Sequence, residues 1–377
     1  MGNIDIIKVT TKKDRKTFAH FGNELYKDSE YAVPDLEFDV LDTFDPKKNA
    51  AYDFCEAELF LARKDGKVVG RVAAIINHRA NETWNVRNVR FGYLDFIDDM
   101  EVSAALLKTV EDWGRERGMT SIQGPMGFTD FDKEGMLVEG FDKLGSLTAL
   151  YNYPYYVSHM DAHGYGKEVD WVQIRVAVPD GMPDKFKRGA EMIMRRYGLK
   201  IRKLTAGMVL RQGYGQKIFD LLNAAYAPLF GFSQLSQRQI DSYVKTYFGL
   251  VDLKFVTLVL DKDDNLIGVA VTMNSLARAI RKAKGRIFPF GWFHLLRALK
   301  FKMEDTVEMI LIAIKPEYQG KGVNSLFFYD LIPIYQKAGF KYAETAPQLE
   351  ENLKELNQWR ILNPEFPKRR RCYCRKL

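Results

Sequence analysis

Alternation of apolar and polar residues predicts a β-hairpin at two places in the chain, residues 57–77 and 254–274. The first hairpin turns at Lys64–Asp65–Gly66 and the second at Asp263–Asp264–Asn265, residue types that favour tight turns. After each hairpin the pattern predicts a strand, an amphipathic helix and a second strand. These elements fall at 89–98, 102–119 and 120–125 in the first half, and at 306–316, 323–340 and 341–347 in the second.

The two halves therefore repeat one order of elements, and the hairpins can be aligned. Gly70 corresponds to Gly268, and Asn77 and Asn274 both close the second strand of their hairpin. Strands and helices in this order predict an α/β fold with a mixed sheet (α+β type) in each half. The boundary is predicted where a strand meets a Pro/Gly-rich turn near 170–184, which gives domains at 1–175 and 176–377.

Length and composition limit the class of protein. A chain of 377 residues with 46% hydrophobic and 28% charged residues is typical of a two-domain globular protein. The net charge of +7 is small for this length and predicts no nucleic-acid partner. Three cysteines without a paired spacing predict neither a disulfide framework nor a metal site. No signal-peptide core and no run of ~18 apolar residues occur, so a cytoplasmic location is expected.

The second half carries an extra segment, residues 275–305, between its hairpin and the next strand. No acidic residue occurs from Asn265 to Met303, and the apolar stretch IFPFGWFHLL (287–296) lies among basic residues. This mixture, in a run too short to span a bilayer, is typical of an interfacial element. Three roles remain open for this segment. Residues 278–302 could contact an anionic membrane, the segment could cap a tunnel for a longer acyl chain, or it could be a flap that completes the local core. The basic residues are Arg278, Arg281, Lys282, Lys284, Arg286, Arg297, Lys300 and Lys302.

The stretch IKPEYQGKGV (314–323) leaves an apolar strand, passes through a loop with two glycines and enters a helix. The first N–H groups of a helix have no partner within it, and the helix dipole favours negative charge at that end. Gly320 and Gly322 let the backbone approach an anion, and Lys321 adds a positive charge. The pattern indicates a phosphate site, although taken alone it also fits an ordinary strand-to-helix turn.

The order Gln319-x-x-Gly322-x-Asn324, preceded by a long apolar strand, resembles the acyl-CoA-binding motif Gln/Arg-x-x-Gly-x-Gly/Ala of the GNAT superfamily of N-acyltransferases. Asn324 departs from the pattern at its last, small position. The element order of residues 213–377 is also similar to a GNAT domain, and the first half is similar by element order alone. The resemblance implies two GNAT-like domains in tandem, with acyl-CoA (acetyl-CoA or longer) as co-substrate. The residues it implies for acyl-CoA binding are Ile312, Ile314, Gln319, Gly320, Lys321, Gly322, Val323, Asn324 and Asn352.

The first copy of the repeat has no such loop. Its strand reaches the next helix through residues 97–101, where Asp98, Asp99 and Glu101 stand in place of the glycines and lysine. Carboxylates repel a pyrophosphate, so the first copy is predicted not to bind CoA in this way. An architectural role and a role as a wall of the acceptor-substrate cleft both remain open for it.

Glu308 is the candidate catalytic base. An amine must lose a proton as it attacks a thioester, and the resemblance implies that a glutamate on the strand before the loop accepts it. Strand alternation predicts Glu308 on one face with Ile310, Ile312 and Ile314. A carboxylate beside apolar side chains holds its proton more tightly than an exposed one, which suits a base. The alternative is a solvated residue near the end of the strand.

The general acid is missing from its expected place. The family pattern has Tyr seven residues after Asn, whereas Asn352 is followed there by Trp359, which has no acidic hydroxyl. The leading function is an acyl-CoA-dependent N-acyltransferase acting on an unidentified small-molecule or peptide amine, without a metal. A degenerate acyltransferase that binds acyl-CoA or forms a scaffold is the alternative. The glycine loop argues against a third class, tandem-GNAT aminoacyl transferases that use charged tRNA.

Overall fold

A computed structural model gives the structure of the protein and describes residues 4–247, 249, 251–301 and 304–377. The strands, in chain order, are β1 (Ile4–Lys8), β2 (Cys55–Lys64), β3 (Lys67–Asn77), β4 (Asn88–Phe96), β5 (Ser121–Gly124), β6 (Met136–Glu139), β7 (Gly166–Ala177), β8 (Lys200–Lys203), β9 (Val256–Leu260), β10 (Leu266–Asn274), β11 (Thr306–Ile314), β12 (Tyr342–Thr345), β13 (Gln348–Leu349) and β14 (Glu365–Lys376).

The α-helices, in chain order, are α1 (Lys12–Leu25), α2 (Glu37–Thr43), α3 (His78–Trp84), α4 (Met100–Glu116), α5 (Tyr155–Ala162), α6 (Asp184–Tyr197), α7 (Ala206–Gln212), α8 (Tyr214–Tyr226), α9 (Gln237–Tyr247), α10 (Ala277–Ala283), α11 (Gly291–Lys300), α12 (Asn324–Ala338) and α13 (Leu353–Gln358). Short 3₁₀ helices lie at Ala50–Asp53, Leu253–Phe255, Pro316–Tyr318 and Trp359–Leu362. No helix in the described part of the chain is both long and apolar enough to cross a bilayer.

The elements predicted for the repeat are all present within a few residues of their expected bounds. The first hairpin turns at Asp65 and Gly66, whose φ angles of 51° and 76° are both positive. Two successive positive φ angles are typical of a type I′ turn, which matches the twist of the flanking strands. Leu106, Leu107 and Val110, three residues of the predicted apolar stripe on α4, are all buried.

The chain forms two compact units that are not simply its two halves. Unit 1 comprises Met1–Val172, Ala277–Leu295 and Pro367–Leu377, and unit 2 comprises Gln173–Leu276 and Leu296–Phe366. Most of the extra segment thus belongs to unit 1, although it lies in the second half of the sequence. Lys302 of that segment lies outside the described residues. The division of the repeat at 175/176 remains a prediction.

In unit 1 the strands follow the order β1-β2-β3-β4-β5-β14-β7, and β6 pairs with β14. The β2–β3 and β3–β4 pairs are antiparallel, whereas β4 and β5 are parallel. Helix α4 covers this sheet through the buried Val102, Leu106 and Val110. Gly70 makes the close packing possible, because a Cβ at this position would lie 2.7 Å from the Leu106 side chain.

In unit 2 the order is β7-β12-β11-β10-β9-β8. Strands β10 and β11 are antiparallel, and β11 and β12 are parallel. Helix α12 covers the sheet through Leu326, Phe327 and Leu331, which are buried in the core of this unit. Gly268 allows its approach, since a Cβ there would lie 2.9 Å from the Phe327 ring. The two glycines that align in the sequence therefore serve the same purpose, each making room for the helix that follows.

A buried arginine fixes α1 against the sheet of unit 1. The Arg71 side chain is 3% exposed; its Nε donates to Asp95 Oδ2 at 2.7 Å and its Nη1 donates to the Phe18 carbonyl at 2.7 Å. Its Nη2 lies 3.4 Å from Asp35 Oδ2, and Asp35 also accepts from Lys133 Nζ at 2.7 Å. Because a buried charge must be paired, these residues hold α1, β3, β4 and the loop before α2 in one arrangement.

Gly22→Ala tests this arrangement. A Cβ at Gly22 on α1 would lie 2.3 Å from Arg71 Nη2, which Asp95 and Asp35 hold in place. We expect a loss of about 2 kcal/mol in the free energy of unfolding. Gly189→Ala on α6 is the matched control, since a Cβ there meets nothing within 4 Å and the helix should gain about 0.5 to 1 kcal/mol. Urea denaturation of both variants checks the contrast, and equal effects would contradict it.

Candidate functional site

An irregularity in β11 changes which side chains share a face in unit 2. Met309 is opposite Thr272 and Leu311 is opposite Val271, so Ile310 is an extra residue in the pairing with β10. Such a bulge reverses the alternation beyond it. Glu308 therefore does not share a face with Ile312 and Ile314, and the prediction that it does is wrong because strand periodicity was extended through the bulge.

The face opposite Glu308 contributes to the core of unit 2. Val307 and Met309 are buried in that core, and Ile312 and Ile314 pack against it beyond the bulge. Glu308 is 7% exposed and points to the other face, so it is a buried residue and not a solvated strand end. Its role as a base remains a prediction.

A second carboxylate lies beside Glu308. Glu308 and Glu344 are direct partners in the parallel pairing of β11 with β12, so their side chains leave the sheet on the same face. Gln173 Nε2 donates to Glu344 Oε1 at 3.4 Å and to the Thr345 carbonyl at 3.1 Å. Glu344 and Gln173 were missed by the sequence reasoning. Glu344 could have been noticed in the sequence, because it is an acidic residue inside the short strand YAET.

Strand β11 has an open edge beyond the bulge. Its pairing with β12 ends at Met309 opposite Thr345, whereas its pairing with β10 continues to Ile314. In the described residues, positions 310–314 thus lack a strand partner on the β12 side. The Tyr226 hydroxyl of α8 donates to the Ile312 carbonyl at 3.0 Å. Ile312 and Ile314 were predicted to act at this edge, and the Ile312 carbonyl is thus already engaged by a side chain there.

The glycine loop follows this open edge directly. Gly320 and Gly322 have φ angles of 73° and 80°, which favour glycine strongly over other residues. Gln319 Nε2 donates back to the Ile314 carbonyl at 3.0 Å and fixes the start of the loop. Within the described chain, the N–H groups of Gly320, Gly322, Val323 and Asn324 donate to no protein acceptor. They can therefore bind an anion.

The other predicted loop residues surround this site. Lys321 Nζ lies 5.2 Å from the ring centre of Tyr318 and 5.5 Å from that of Tyr197, distances typical of cation–π contacts. Asn324 Nδ2 donates to Gln358 Oε1 at 2.7 Å, so this larger residue at the motif's small position is held by α13. Asn352 is half-buried and its carbonyl accepts the first bond of α13, from Leu356 N at 3.1 Å.

Trp359 is a core residue. It is 2% exposed, and its ring lies edge-on to Phe328 with the ring centres 5.1 Å apart. No hydrogen-bond partner is recorded for its indole Nε1 among the residues described. A tryptophan buried in this way fills space and supplies no proton.

The corresponding helix start in unit 1 has a different chemistry. Asp99 is the N-cap of α4 and accepts from Glu101 N at 3.0 Å, and Lys64 Nζ lies 2.6 Å from the Asp99 carboxylate. The hydrogen bond from Lys64 lowers the pKa of Asp99. The helix end that is open in unit 2 is thus occupied by the chain's own carboxylate in unit 1. The prediction that unit 1 does not bind CoA agrees with this capping and is otherwise untested.

Unit 1 contains an acidic group that the sequence reasoning overlooked. Asp130, Asp132 and Glu134 follow β5 at alternate positions, a regular spacing that was visible in the sequence. Burial raises the pKa of Asp132 to about 6 and raises the pKa of Asp130 and of Glu134, while nearby Arg90 opposes the shift. Asp132 Oδ2 accepts from Thr129 N at 2.8 Å. In the described residues no three His, Cys, Asp or Glu side chains are placed to hold a metal ion.

Comparison with known proteins places this geometry in context. No family model matches the sequence. A protein described as "Bacterial ceramide synthase", from Caulobacter vibrioides (strain NA1000 / CB15N), is 28% identical over 326 residues, which cover 84% of this chain and 82% of that protein. "Protein YghO" of Escherichia coli (strain K12) is 26% identical over 376 residues, 97% of this chain and 94% of its own.

Solved structures show the fold. A tandem GNAT protein from the clavulanic acid biosynthesis pathway, solved without acetyl-CoA, matches with a TM-score of 0.59 at 11% identity and covers 99% of this chain and 98% of its own. A GCN5-related N-acetyltransferase from Sphaerobacter thermophilus gives 0.53 at 11% identity, over 99% and 95%. The chain has a GNAT-like acyltransferase fold over nearly its whole length, which confirms the predicted α/β fold class and the resemblance.

Asp132→Asn tests the half-buried acidic group. The folded protein holds the Asp132 proton up to about pH 6, whereas the ordinary pKa is 3.8. The contribution of this residue to the free energy of unfolding is therefore largest below pH 3.8, and it falls by up to roughly 3 kcal/mol as the pH rises through 6. Asparagine does not titrate, so the variant should become progressively more stable than the parent across this window. Urea denaturation at several pH values checks this; Asp142→Asn at the surface should show no such rise, and a pH-independent difference for Asp132→Asn would contradict it.

Proposed function

We propose that the protein is an acyl-CoA-dependent N-acyltransferase whose co-substrate binds to unit 2. The observation that carries the proposal is the continuous path from the open edge of β11 to the glycine loop. The N–H group of Gly320 and those of the consecutive residues Gly322, Val323 and Asn324 have no protein acceptor in the described chain. Two of these residues are glycines with positive φ angles, so the loop leaves room for phosphate oxygens.

The chain offers groups for the pyrophosphate and for the pantetheine arm of acyl-CoA. The loop N–H groups would bind the pyrophosphate, and Lys321 adds a positive charge beside it. The backbone of Ile312 and Ile314 would align the pantetheine arm along the strand edge, where the arm would share the two carbonyls with Tyr226 and Gln319. Asn352, immediately before α13, is proposed to contribute to acyl-CoA binding, since α13 also holds Asn324 through Gln358. A cytoplasmic location would match the supply of acyl-CoA.

Acyl-CoA supplies a thioester carbonyl, which a neutral amine attacks to form an amide while the CoA thiolate leaves. Glu308 is proposed to accept the proton that the amine loses. Glu308 is buried beside Glu344 on the face of the sheet opposite α12, so a carboxylate lies close to the bulge and not in bulk water. Gln173, which donates to Glu344, would keep that second carboxylate oriented. No acid is required if the thiolate leaves unprotonated, and Trp359 supplies none.

The acceptor is proposed to be a long-chain amino alcohol. The Caulobacter relative is named a ceramide synthase, and a ceramide is the amide of such an amine with a fatty acid. The wider expectation, a small-molecule or peptide amine, contains this class. Mass spectrometry of products from sphinganine, a peptide amine and a polyamine, each with acetyl-CoA and palmitoyl-CoA, decides among them. A product with the peptide alone would overturn the lipid acceptor and keep acyl transfer.

A degenerate protein that binds acyl-CoA without turnover is the second candidate. The observation that favours it is Trp359, which is part of the core and does not supply a hydroxyl. Thiol release from acyl-CoA in the presence of amine separates the two functions. Binding by calorimetry without any thiol release would favour the degenerate protein.

Gly322→Asp should weaken CoA binding at least tenfold. The new side chain brings a negative charge to the phosphate site and forces an L-residue to a φ of 80°, with its Cβ 3.3 Å from Ile193. Gly66→Asp is the matched control, since Gly66 also has a positive φ and lies in the hairpin turn of unit 1. Titration calorimetry should give one CoA site per chain in the parent. Two sites per chain, or a Gly322→Asp variant with the affinity of the parent, would contradict the proposal that the loop of unit 2 is the single CoA site.

Glu308→Gln should lower the rate of acyl transfer by about 10²-fold with little change in CoA affinity, because the amide keeps the shape and loses the base. Glu317→Gln is the control, since Glu317 is exposed and pairs with Lys315 at 2.7 Å. Steady-state rates across a pH series check this. Full turnover by Glu308→Gln at every pH would leave Glu308 a structural residue.

A further inference from the structure

The extra segment exposes large aromatic side chains. Phe288 is 78% exposed, Phe290 73%, Phe293 52% and Trp292 45%; these four residues are called the aromatic surface. Side chains of this kind are normally mostly buried, and a group of them within six consecutive positions marks an interaction site. They do not complete a local core, which was one of the readings left open by the sequence.

The base of the aromatic surface is firmly attached within unit 1. The Gly285 carbonyl accepts from Glu37 N at 3.0 Å, and Arg286 Nε lies 3.0 Å from Glu37 Oε1. Arg281 donates to the backbone carbonyls of Ser29 and Glu30. An anchored base with exposed aromatic side chains is suited to docking, because the side chains are presented without further ordering of the backbone.

A basic cleft adjoins the aromatic surface. The cleft has a volume of about 670 Å³ and lies between α1 and the extra segment, with Phe288 and Phe290 in its wall. Five basic and two acidic side chains line it. Lys27 is paired with Glu24 at 2.6 Å and Arg286 with Glu37, whereas Lys282 and Lys284 are exposed and form no ion pair among the described residues. Two free positive charges therefore lie next to the exposed aromatic rings.

We propose that the aromatic surface docks on a bilayer that contains anionic phospholipid, with Lys282 and Lys284 facing the headgroup phosphates. Phenylalanine and tryptophan enter the interfacial region of a bilayer, and lysine beside them is attracted to anionic headgroups. Charge complementarity selects this occupant, because no acidic residue occurs from Asn265 to Met303. The inference rests on the surface alone, so its failure would leave acyl transfer untouched.

A second copy of the chain is the less suitable occupant. In a two-fold dimer the same surface would meet itself, which would bring Lys282 and Lys284 of both copies together without acidic partners from this segment. Repulsion between them opposes that arrangement, whereas anionic lipid relieves it. Analytical ultracentrifugation without lipid should accordingly show no association that depends on the aromatic residues.

Flotation of the full-length protein with vesicles tests the proposal. One set of vesicles is phosphatidylcholine alone, and the other is equal parts phosphatidylcholine and phosphatidylglycerol. We expect the parent to float with the anionic vesicles and to be released by salt, which screens the attraction. Phe288→Ser/Phe290→Ser and Lys282→Glu/Lys284→Glu should each lower the bound fraction about tenfold or more.

Matched controls separate docking from general hydrophobicity and charge. Met192→Ser/Leu210→Ser removes side chains that are 62% and 82% exposed in unit 2, and Lys12→Glu/Lys13→Glu reverses exposed charges at the other end of α1. Both should float like the parent, and thermal melts should show that all variants are folded. The proposal is overturned if the parent stays with the unbound fraction on anionic vesicles, or if the controls lose binding as much as the test variants.

Discussion

The buried charge of Arg71 is the constraint on which unit 1 depends. A guanidinium that is 3% exposed must find its partners inside the protein, and it finds them on separate pieces of chain: Asp95 on β4, the Phe18 carbonyl on α1 and Asp35 before α2. Each partner fixes the position of the element that carries it. Losing the bond to the Phe18 carbonyl would leave a buried donor and acceptor unpaired, at a cost of about 1–3 kcal/mol, which favours one position of α1 on the sheet. That position in turn forms one wall of the basic cleft, because residues of α1 line it.

In unit 2 the corresponding constraint is geometric. One extra residue in β11, Ile310, reverses the alternation of side chains, so that residues before and after it at even positions lie on opposite faces of the sheet. Glu308 comes before it and lies beside Glu344 on the face opposite α12, while Ile312 comes after it and packs on the core under α12. The same strand loses its β12 neighbour at this point. A carboxylate, an open backbone edge and the glycine loop thus follow one another within a short stretch of chain, which is the arrangement that the proposed acyl transfer needs.

The two units differ in the chemistry at the start of the corresponding helix, although the order of their elements is the same. Both place a helix after the third strand of the repeat, and both make room for it with a glycine in the hairpin. In unit 1 the helix start is capped by Asp99, which Lys64 neutralises. In unit 2 glycines leave the N–H groups of the helix start unbonded in the described chain. The proposed difference in anion binding between the units therefore depends on how the helix start is capped and not on the order of the elements.

The sequence alone determined what depends on neighbouring residues. Side-chain periodicity gave the hairpins and helices, turn residues gave their ends, and the spacing from Gln319 to Asn324 indicated the loop, because backbone preferences act over a few residues. Tertiary structure decided the rest. The bulge at Ile310 exists only in the pairing with β10, so alternation misplaced Glu308. Glu344 reaches Glu308 only because distant strands become neighbours. Whether the aromatic residues at 288–293 are buried or exposed depends on the surfaces available to cover them, and no local pattern contains that information.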